Sequence, residues 1–278
     1  MKLIHLTDPH FVVSGRRLYG LDPRARLDAA VASINALHAD ADLVVITGDL
    51  AHSGEPGAYD ALHECLAALT VPCVPLIGNH DDRTALLERF PEAPRDADGF
   101  IQSAVDVDGT RLLFLDTNQP GTHMGWYCER RMAWLARQLE AGRGRPHLVF
   151  MHHPPFDIGL PSMDRIGLVQ RAAFTEVVRP HLADLRHLFF GHVHRPISGS
   201  WLGLPFSTLR GTNHQVRLDF VAEDDIPGSH EPPAYAVVSV DAQRVIVHTH
   251  DYLDASPTFW LGEQAEVDRA ASALAAAS

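Results

Sequence analysis

The chain has 278 residues, 46% apolar and 21% charged, with 23 basic against 35 acidic side chains, giving a net charge of −12 when its 18 histidines are neutral. This is the composition of a globular chain of one large or two small domains, long enough to close a core without disulfides. It excludes a disordered tail, a fibrous repeat and a membrane span, and the acidic balance makes long nucleic acid a poor partner.

The first apolar run is met at once by Asp8, which breaks any signal-peptide pattern. Lys2–Leu6 reads as a buried strand, Arg24–Ala39 as a helix with Leu27, Val31, Ile34 and Leu37 near helical spacing, and Leu43–Thr47 as a second strand. Tyr59–Leu69 is a second helix, Val71–Ile77 a third strand disturbed by Pro72 and Pro75, and Thr84–Phe90 a short helix. Gln102–Val107 and Arg111–Asp116 form a hairpin across Asp108-Gly109-Thr110. Glu129–Ala141 is a helix, His147–Met151 a strand, Leu168–Val178 a helix and His187–Phe190 a strand.

The remainder turns to strands at Pro196–Trp201, Pro205–Leu209, Val216–Val221, Ala234–Val240 and Arg244–His250, the last two joined through Asp241-Ala242-Gln243. Alternating β and α followed by a β-rich portion predicts an α/β fold of packed mixed sheets with helices outside. A single domain over 1–278 is expected, with excursions at 154–167 and 211–233 serving as cap or interface, or, for the acidic Ala222–Pro233, as a solvated surface loop. Cys65, Cys73 and Cys128 lack metal-type spacing and read as reduced thiols of a cytoplasmic protein.

Five segments follow strands directly: Asp8-Pro9-His10, Gly48-Asp49, Gly78-Asn79-His80-Asp81, His152-His153 and Gly191-His192-Val193-His194. Functional groups of open α/β sheets collect at the carboxyl ends of strands, so these five are expected to converge on one rim. Carboxylate oxygen, imidazole nitrogen and a neutral amide oxygen, with no thiolate, suit a pair of divalent ions such as Mn, Fe, Zn or Co. Alternation along a strand would put His192 and His194 on one face. A glycine before Asp49, Asn79 and His192 permits sharp turns beside an ion.

This ordered set resembles the calcineurin-like binuclear metallophosphoesterases, in particular the class III cyclic-nucleotide phosphodiesterase and glycerophosphodiesterase branch. Gly211-Thr212-Asn213-His214-Gln215-Val216 resembles a further segment of that branch. The resemblance implies a four-layer α/β/β/α sandwich. It implies a first ion on Asp8, His10 and His194, a second on Asn79, His152 and His192, and a bridge through Asp49. His80 would contact the substrate phosphate and assist the leaving group, with Asn79, His214 and Gln215 also at the substrate. A homodimer or larger homo-oligomer is implied as well.

Ala51-His52 departs from the Thr-Asp-like pair usual in the branch and leaves the role of His52 open. Protein phosphatases of the superfamily have an Asp-Arg pair near Ala51-His52 and Glu after Asn-His; here no arginine occupies that place and Asp81 follows His80, which argues against a protein phosphatase. Asp81 itself either orients His80 or stabilises its turn.

The expected activity is hydrolysis of small phosphodiesters, 3',5'-cyclic nucleotides or glycerophosphodiesters, by a metal-bound hydroxide. A phosphomonoesterase or pyrophosphohydrolase with the same centre is the alternative, and a non-catalytic metal-binding scaffold a third reading. His153 reads as a hydrogen-bonded neighbour of the motif, and His5, His147, His187, His248 and His250 as structural or exposed. Arg16 and Arg17 read as a solvated loop, and Trp201, Tyr252, Phe259 and Trp260 as core.

Overall fold

The computed structural model describes residues 1–261 together with 269 and 275; the rest of the expected 1–278 domain lies outside the described residues. The chain runs β1 (Lys2–Leu6), α1 (Pro23–Leu37), β2 (Leu43–Thr47), α2 (Pro56–Leu66), β3 (Cys73–Leu76), α3 (Arg83–Arg89), β4 (Ser103–Val107), β5 (Thr110–Phe114), α4 (Glu129–Ala141) and β6 (His147–Met151). It continues through α5 (Pro161–Asp164), α6 (Arg171–Val178), β7 (Leu185–Phe190), β8 (Ser198–Trp201), β9 (Leu204–Ser207), β10 (Gln215–Val216), β11 (Gly228–Ser229), β12 (Tyr235–Val240) and β13 (Val245–His250).

One sheet has the order β13-β12-β1-β2-β3 and the other β4-β5-β6-β7-β9-β8, while β10 and β11 form a separate ribbon. Within the first sheet β1, β2 and β3 are parallel; within the second β5, β6, β7 and β9 are parallel. Their carboxyl ends therefore share one edge of each sheet.

The central strands β1, β2, β5, β6 and β7 are mostly apolar because both of their faces are buried. Leu3 and Val45 point inward to meet Phe114, Phe150, Phe189 and Val238 between the sheets. Ile4, Val44 and Ile46, their neighbours along the strands, point outward against Leu27, Ile34 and Leu62 of the helices. Val149 and Leu188 do the same on the far side, against Leu135 and Phe174. The result is the expected four layers, helices–sheet–sheet–helices.

Local chemistry sets the element ends. Asp22 caps α1 by accepting from the Ala25 N–H, and Pro23 opens the helix. Asp82 does the same for α3 through Ala85 N–H. At Asp108-Gly109 both residues have positive φ, 47° and 76°, which closes the β4–β5 hairpin with a twist matching its strands.

Several expectations need correction. The run 216–221 is not a strand: only Gln215–Val216 pairs, with β11, and Leu218, Phe220 and Val221 are exposed because no sheet lies beneath them. Phe259 and Trp260 are exposed rather than core, whereas Trp201 packs on Phe156 and Tyr252 on Tyr235. The short helix α5 and strand β11 lie inside the two excursions, which had read as irregular. All three cysteines are free thiols. Among the described residues no helix is long and apolar enough to cross a membrane.

Candidate metal centre

The ends of β1, β2 and β3 in one sheet and of β6 and β7 in the other carry the five loops singled out from the sequence. The loops after β1 and β2 stay joined beyond their strands: Asp8 N–H donates to Gly48 O at 3.2 Å and His10 N–H to Asp49 O at 2.8 Å. Asp8, His10 and Asp49 all have left-handed backbone, φ 52°, 46° and 49°. Such geometry costs a non-glycine residue roughly 1–3 kcal/mol and persists only where its surroundings enforce it.

His192 and His194 are left-handed too, φ 69° and 45°, so they do not sit at alternate strand positions as expected. The turn sends them apart. The His194 ring faces Asp8 and His10, and the His192 ring lies beside His152, with ring centres 5.0 Å apart.

Asp8 is fully buried and held from below by a relay. His5 Nε2 donates to Thr47 Oγ1 at 2.8 Å, Thr47 Oγ1 to Thr7 Oγ1 at 2.8 Å, and Thr7 Oγ1 to Asp8 Oδ2 at 2.6 Å. From above, His192 N–H points at both Asp8 oxygens at 3.2 Å. Asp49 divides its carboxylate: Oδ1 lies 3.3 Å from His152 Nε2, and Oδ2 lies 3.5 Å from His10 Nε2. Oδ1 also accepts the His80 N–H at 3.0 Å.

The ring orientations are fixed by their outer nitrogens. His152 Nδ1 donates to Thr47 O at 2.7 Å and His194 Nδ1 to His214 O at 2.8 Å, leaving each Nε2 facing the cluster. Such outer-nitrogen bonds orient metal-binding imidazoles. Asn79 Oδ1 lies 3.1 Å from His152 Nε2, and its Nδ2 donates to His123 Nδ1 at 2.9 Å. That second bond sets which way the amide faces.

Among the described residues four groupings offer ligand atoms within 4.8 Å of one another: Asp8, His10, Asp49 and His194; His152, His153 and His192; His10, His52 and His80; and His10, His194 and His214. His153 has both nitrogens engaged, with Thr117 Oγ1 at 2.7 Å and His123 O at 3.2 Å, and stands as a neighbour.

The remaining residues fit a cation pair. His192 Nε2 is buried with no hydrogen-bond partner, and His10 Nε2 and His194 Nε2 point at each other across 3.2 Å. Nitrogens arranged this way want a shared positive centre. Without one, imidazoles take up protons beside the carboxylates: burial opposes charging of His152, but Asp49 and Asp8 raise it to about 9, and Asp8 raises His194 against the same burial. Burial pushes His10 and His192 well below the usual imidazole range. Burial also disfavours the Asp49 anion, yet His152 and His10 hold it well below the usual carboxylate range.

Glycine is required at Gly78, where a Cβ would overlap the Asp49 carboxylate and the His152 ring. Asp81 does not touch the His80 side chain. It accepts Leu50, Ala51 and Gly78 N–H at 3.0, 2.9 and 2.8 Å and the Tyr59 hydroxyl at 2.9 Å, locking the Asp49 loop to the Asn79 loop.

A cleft of about 1170 Å³ opens over the centre. His10, Asp49, Asn79, His80, His192, His194 and His214 line it, while Asp8 and His152 lie behind. Gln215 reaches the wall, but its amide is spent on the Gly211 backbone, Nε2 donating to Gly211 O at 2.7 Å and Oε1 accepting Gly211 N–H at 2.8 Å. Arg16 and Arg17 stay in an exposed loop.

Residues 162–166 and 223–230, from both excursions, form the outer wall. There Arg165 donates to Asp224 Oδ1 at 2.6 Å and to Glu223 O at 2.7 Å. Tyr19, His123 and Arg165 were not singled out from the sequence. His123 reaches the rim because β5 is parallel to β6, so the chain leaving β5 opens on the same side.

Residues 1–196 match the calcineurin-like phosphoesterase family. The chain is 50% identical, over 97% of its length and 99% of the relative's, to a probable cyclic nucleotide phosphodiesterase of Rhodopseudomonas palustris. It is 34% identical, over 78% and 79%, to a glycerophosphodiester phosphodiesterase of Enterobacter lignolyticus. The structure superimposes on a dimetal phosphatase of Danio rerio with a TM-score of 0.67, at 17% identity, over 91% of this chain and 96% of that one.

Proposed function

Because the chain belongs to the calcineurin-like phosphoesterase family, we propose that it is a binuclear metal-dependent phosphodiesterase acting on small phosphodiesters, cyclic nucleotides or glycerophosphodiesters. The observation that carries the reading is the divided Asp49 carboxylate, one oxygen toward His10 and the other toward His152. Asp8, His10, His194 and Asp49 would hold one ion; Asp49, Asn79, His152 and His192 would hold the other. Oxygen and imidazole ligands suit Mn, Fe, Zn or Co. When bound, two such ions lower the pKa of water and withdraw charge from phosphoryl oxygens.

The chain's own side chains supply the rest. His80 Nδ1 donates to the His52 carbonyl at 2.6 Å, so a proton added to this ring sits on Nε2, at the cleft. As one P–O ester bond breaks, that Nε2 proton passes to the departing alkoxide, and a water oxygen remains on phosphorus. His214, whose ring centre is 4.8 Å from those of His10 and His194, borders the ester. Burial and the surrounding imidazoles take its pKa to about 2, so it meets an anion as a neutral ring.

The cleft supports a diester over a monoester or pyrophosphate. The guanidinium in its wall is tied to Asp224, and Glu223 stands beside it, so a dianionic terminus gains little there. The deciding experiment compares hydrolysis of bis(p-nitrophenyl) phosphate and p-nitrophenyl phosphate by chelator-stripped protein before and after adding Mn²⁺. Metal-restored activity favouring the diester is expected; preference for the monoester would overturn the substrate class. A cytoplasmic homodimer or larger assembly is part of the same reading, and a solution mass near the 30.6 kDa of one chain would count against the assembly.

A further inference from the structure

The His52 carbonyl holds the His80 ring, but its side chain takes no part in the proposed hydrolysis, and the geometry around that side chain is unusual. Its Nδ1 lies 3.3 Å from His10 Nδ1, nitrogen facing nitrogen. Its ring is stacked on His80, centres 5.0 Å apart and planes 19° apart, and it lines the cleft.

Two facing ring nitrogens form a hydrogen bond only if one carries a proton and the other does not. The choice follows from the proposed centre, on which this inference rests. His10 turns Nε2 to the cluster, where a nitrogen that holds a cation has no proton. The single proton of His10 then sits on Nδ1 and is donated to His52. His52 Nδ1 is the acceptor, and the His52 proton is driven to Nε2. No acceptor for that Nε2 lies within hydrogen-bond reach among the described residues.

His80 has the opposite polarity. Its Nδ1 proton is committed to the His52 carbonyl, so its neutral Nε2 is a bare lone pair. His80 Nε2 therefore donates only after a second proton is added to its ring, whereas His52 Nε2 donates from the neutral ring.

We infer that His52 is a substrate-binding residue whose Nε2–H donates to an anionic oxygen of the bound phosphodiester, and that His10 fixes the tautomer that makes this possible. The donor is neutral, which suits the single charge of a diester. A hydrogen bond from it to a charged oxygen corresponds to about a ten- to hundredfold effect on affinity.

The test uses full-length protein loaded with Zn²⁺, which is diamagnetic. Long-range ¹H–¹⁵N spectra of the histidine rings should show His52 protonated on Nε2 only. Affinity for dimethyl phosphate, a diester monoanion, should fall at least tenfold in His52→Asn, where the side-chain oxygen still accepts from His10 but no donor reaches the cleft. The zinc content of that variant should match the parent. In His52→Phe, which keeps the stack and loses both nitrogens, zinc affinity should fall as well.

A His52 proton on Nδ1, or unchanged dimethyl phosphate affinity in His52→Asn, overturns the inference. So does a parent protein that binds no dimethyl phosphate. If the spectra and affinities are as stated while the parent cleaves no diester, the proposed function fails and the inference about His52 stands.

Discussion

The Tyr59 hydroxyl and the Asp81 carboxylate meet at 2.9 Å beneath the metal centre, and the same hydroxyl accepts the Asp82 N–H at 2.9 Å. A helix on the outer face of the first sheet thereby holds the turn that carries Asn79 and His80. Burial and the Asp49 charge push Asp81 up to about 6, against the pull of three backbone N–H donors. Tyr59→Phe leaves the Asp82 N–H without its acceptor and takes one of two donors from Asp81 Oδ1, and should cost about 1–3 kcal/mol in urea unfolding. Asp81→Ala strips the acceptor from four buried donors and should cost more, about 3–5 kcal/mol. Equal stability of both variants and the parent would show that the loops are held by other contacts.

The two neighbouring residues Asn79 and His80 should separate metal binding from turnover. Asn79→Ala removes the amide oxygen next to His152. After stripping and reloading, its metal content by mass spectrometry should fall below that of the parent, with turnover largely lost. His80→Ala leaves the proposed ligand set intact and should keep full metal content while kcat drops about 10²–10⁴-fold. Normal turnover by Asn79→Ala would remove it from the centre.

Acid sensitivity should arise in part from two histidines between the sheets. Burial takes His5 down to about 3, with His187 adding to it, and takes His187 down to about 4. Both folded values lie below the unfolded value of about 6.5, so the unfolded chain binds more protons in between. Stability is therefore full above about pH 6.5 and lost as pH falls toward the folded values. For His187 alone the loss between pH 7 and 5 is about 2 kcal/mol. His187→Asn should lose that much less than the parent over the same interval, whatever its stability at pH 7. Parallel pH profiles in urea unfolding would rule out this source.

Gly78→Ala should act at a distance from any ligand it replaces, since it replaces none. Its Cβ would overlap the Asp49 carboxylate and the His152 ring, so the backbone has to move away from the centre. Loss of metal binding by calorimetry with a retained circular dichroism spectrum is the expected outcome. Metal affinity equal to the parent would mean that the loop yields without disturbing Asp49.

The convergence of the five loops was legible because each follows a largely apolar run, and the end of such a run is the end of a buried strand. Lys2–Leu6, Leu43–Thr47 and His147–Met151 were located to the residue for the same reason. The outer wall was not legible. Leu218, Phe220 and Val221 have strand-like composition but no sheet to cover them, and periodicity cannot report a missing partner. His123 and Tyr19 reach the cleft from irregular segments, where no periodicity marks direction. The left-handed backbone at His192 and His194 also had no sequence signal, since neither is glycine or asparagine, and only surrounding contacts impose it.

The two sheets contribute to the cluster unequally in time as well as in space. Asp8, Asp49 and Asn79 leave the ribosome early, but His152, His192 and His194 come from the other sheet, and β1 is not flanked on its second side until β12 has been made. A nascent chain that stops before His192 holds only part of each proposed ligand set. If the proposed ligands hold the ions, metal capture is a late, long-range event that needs both halves of the fold.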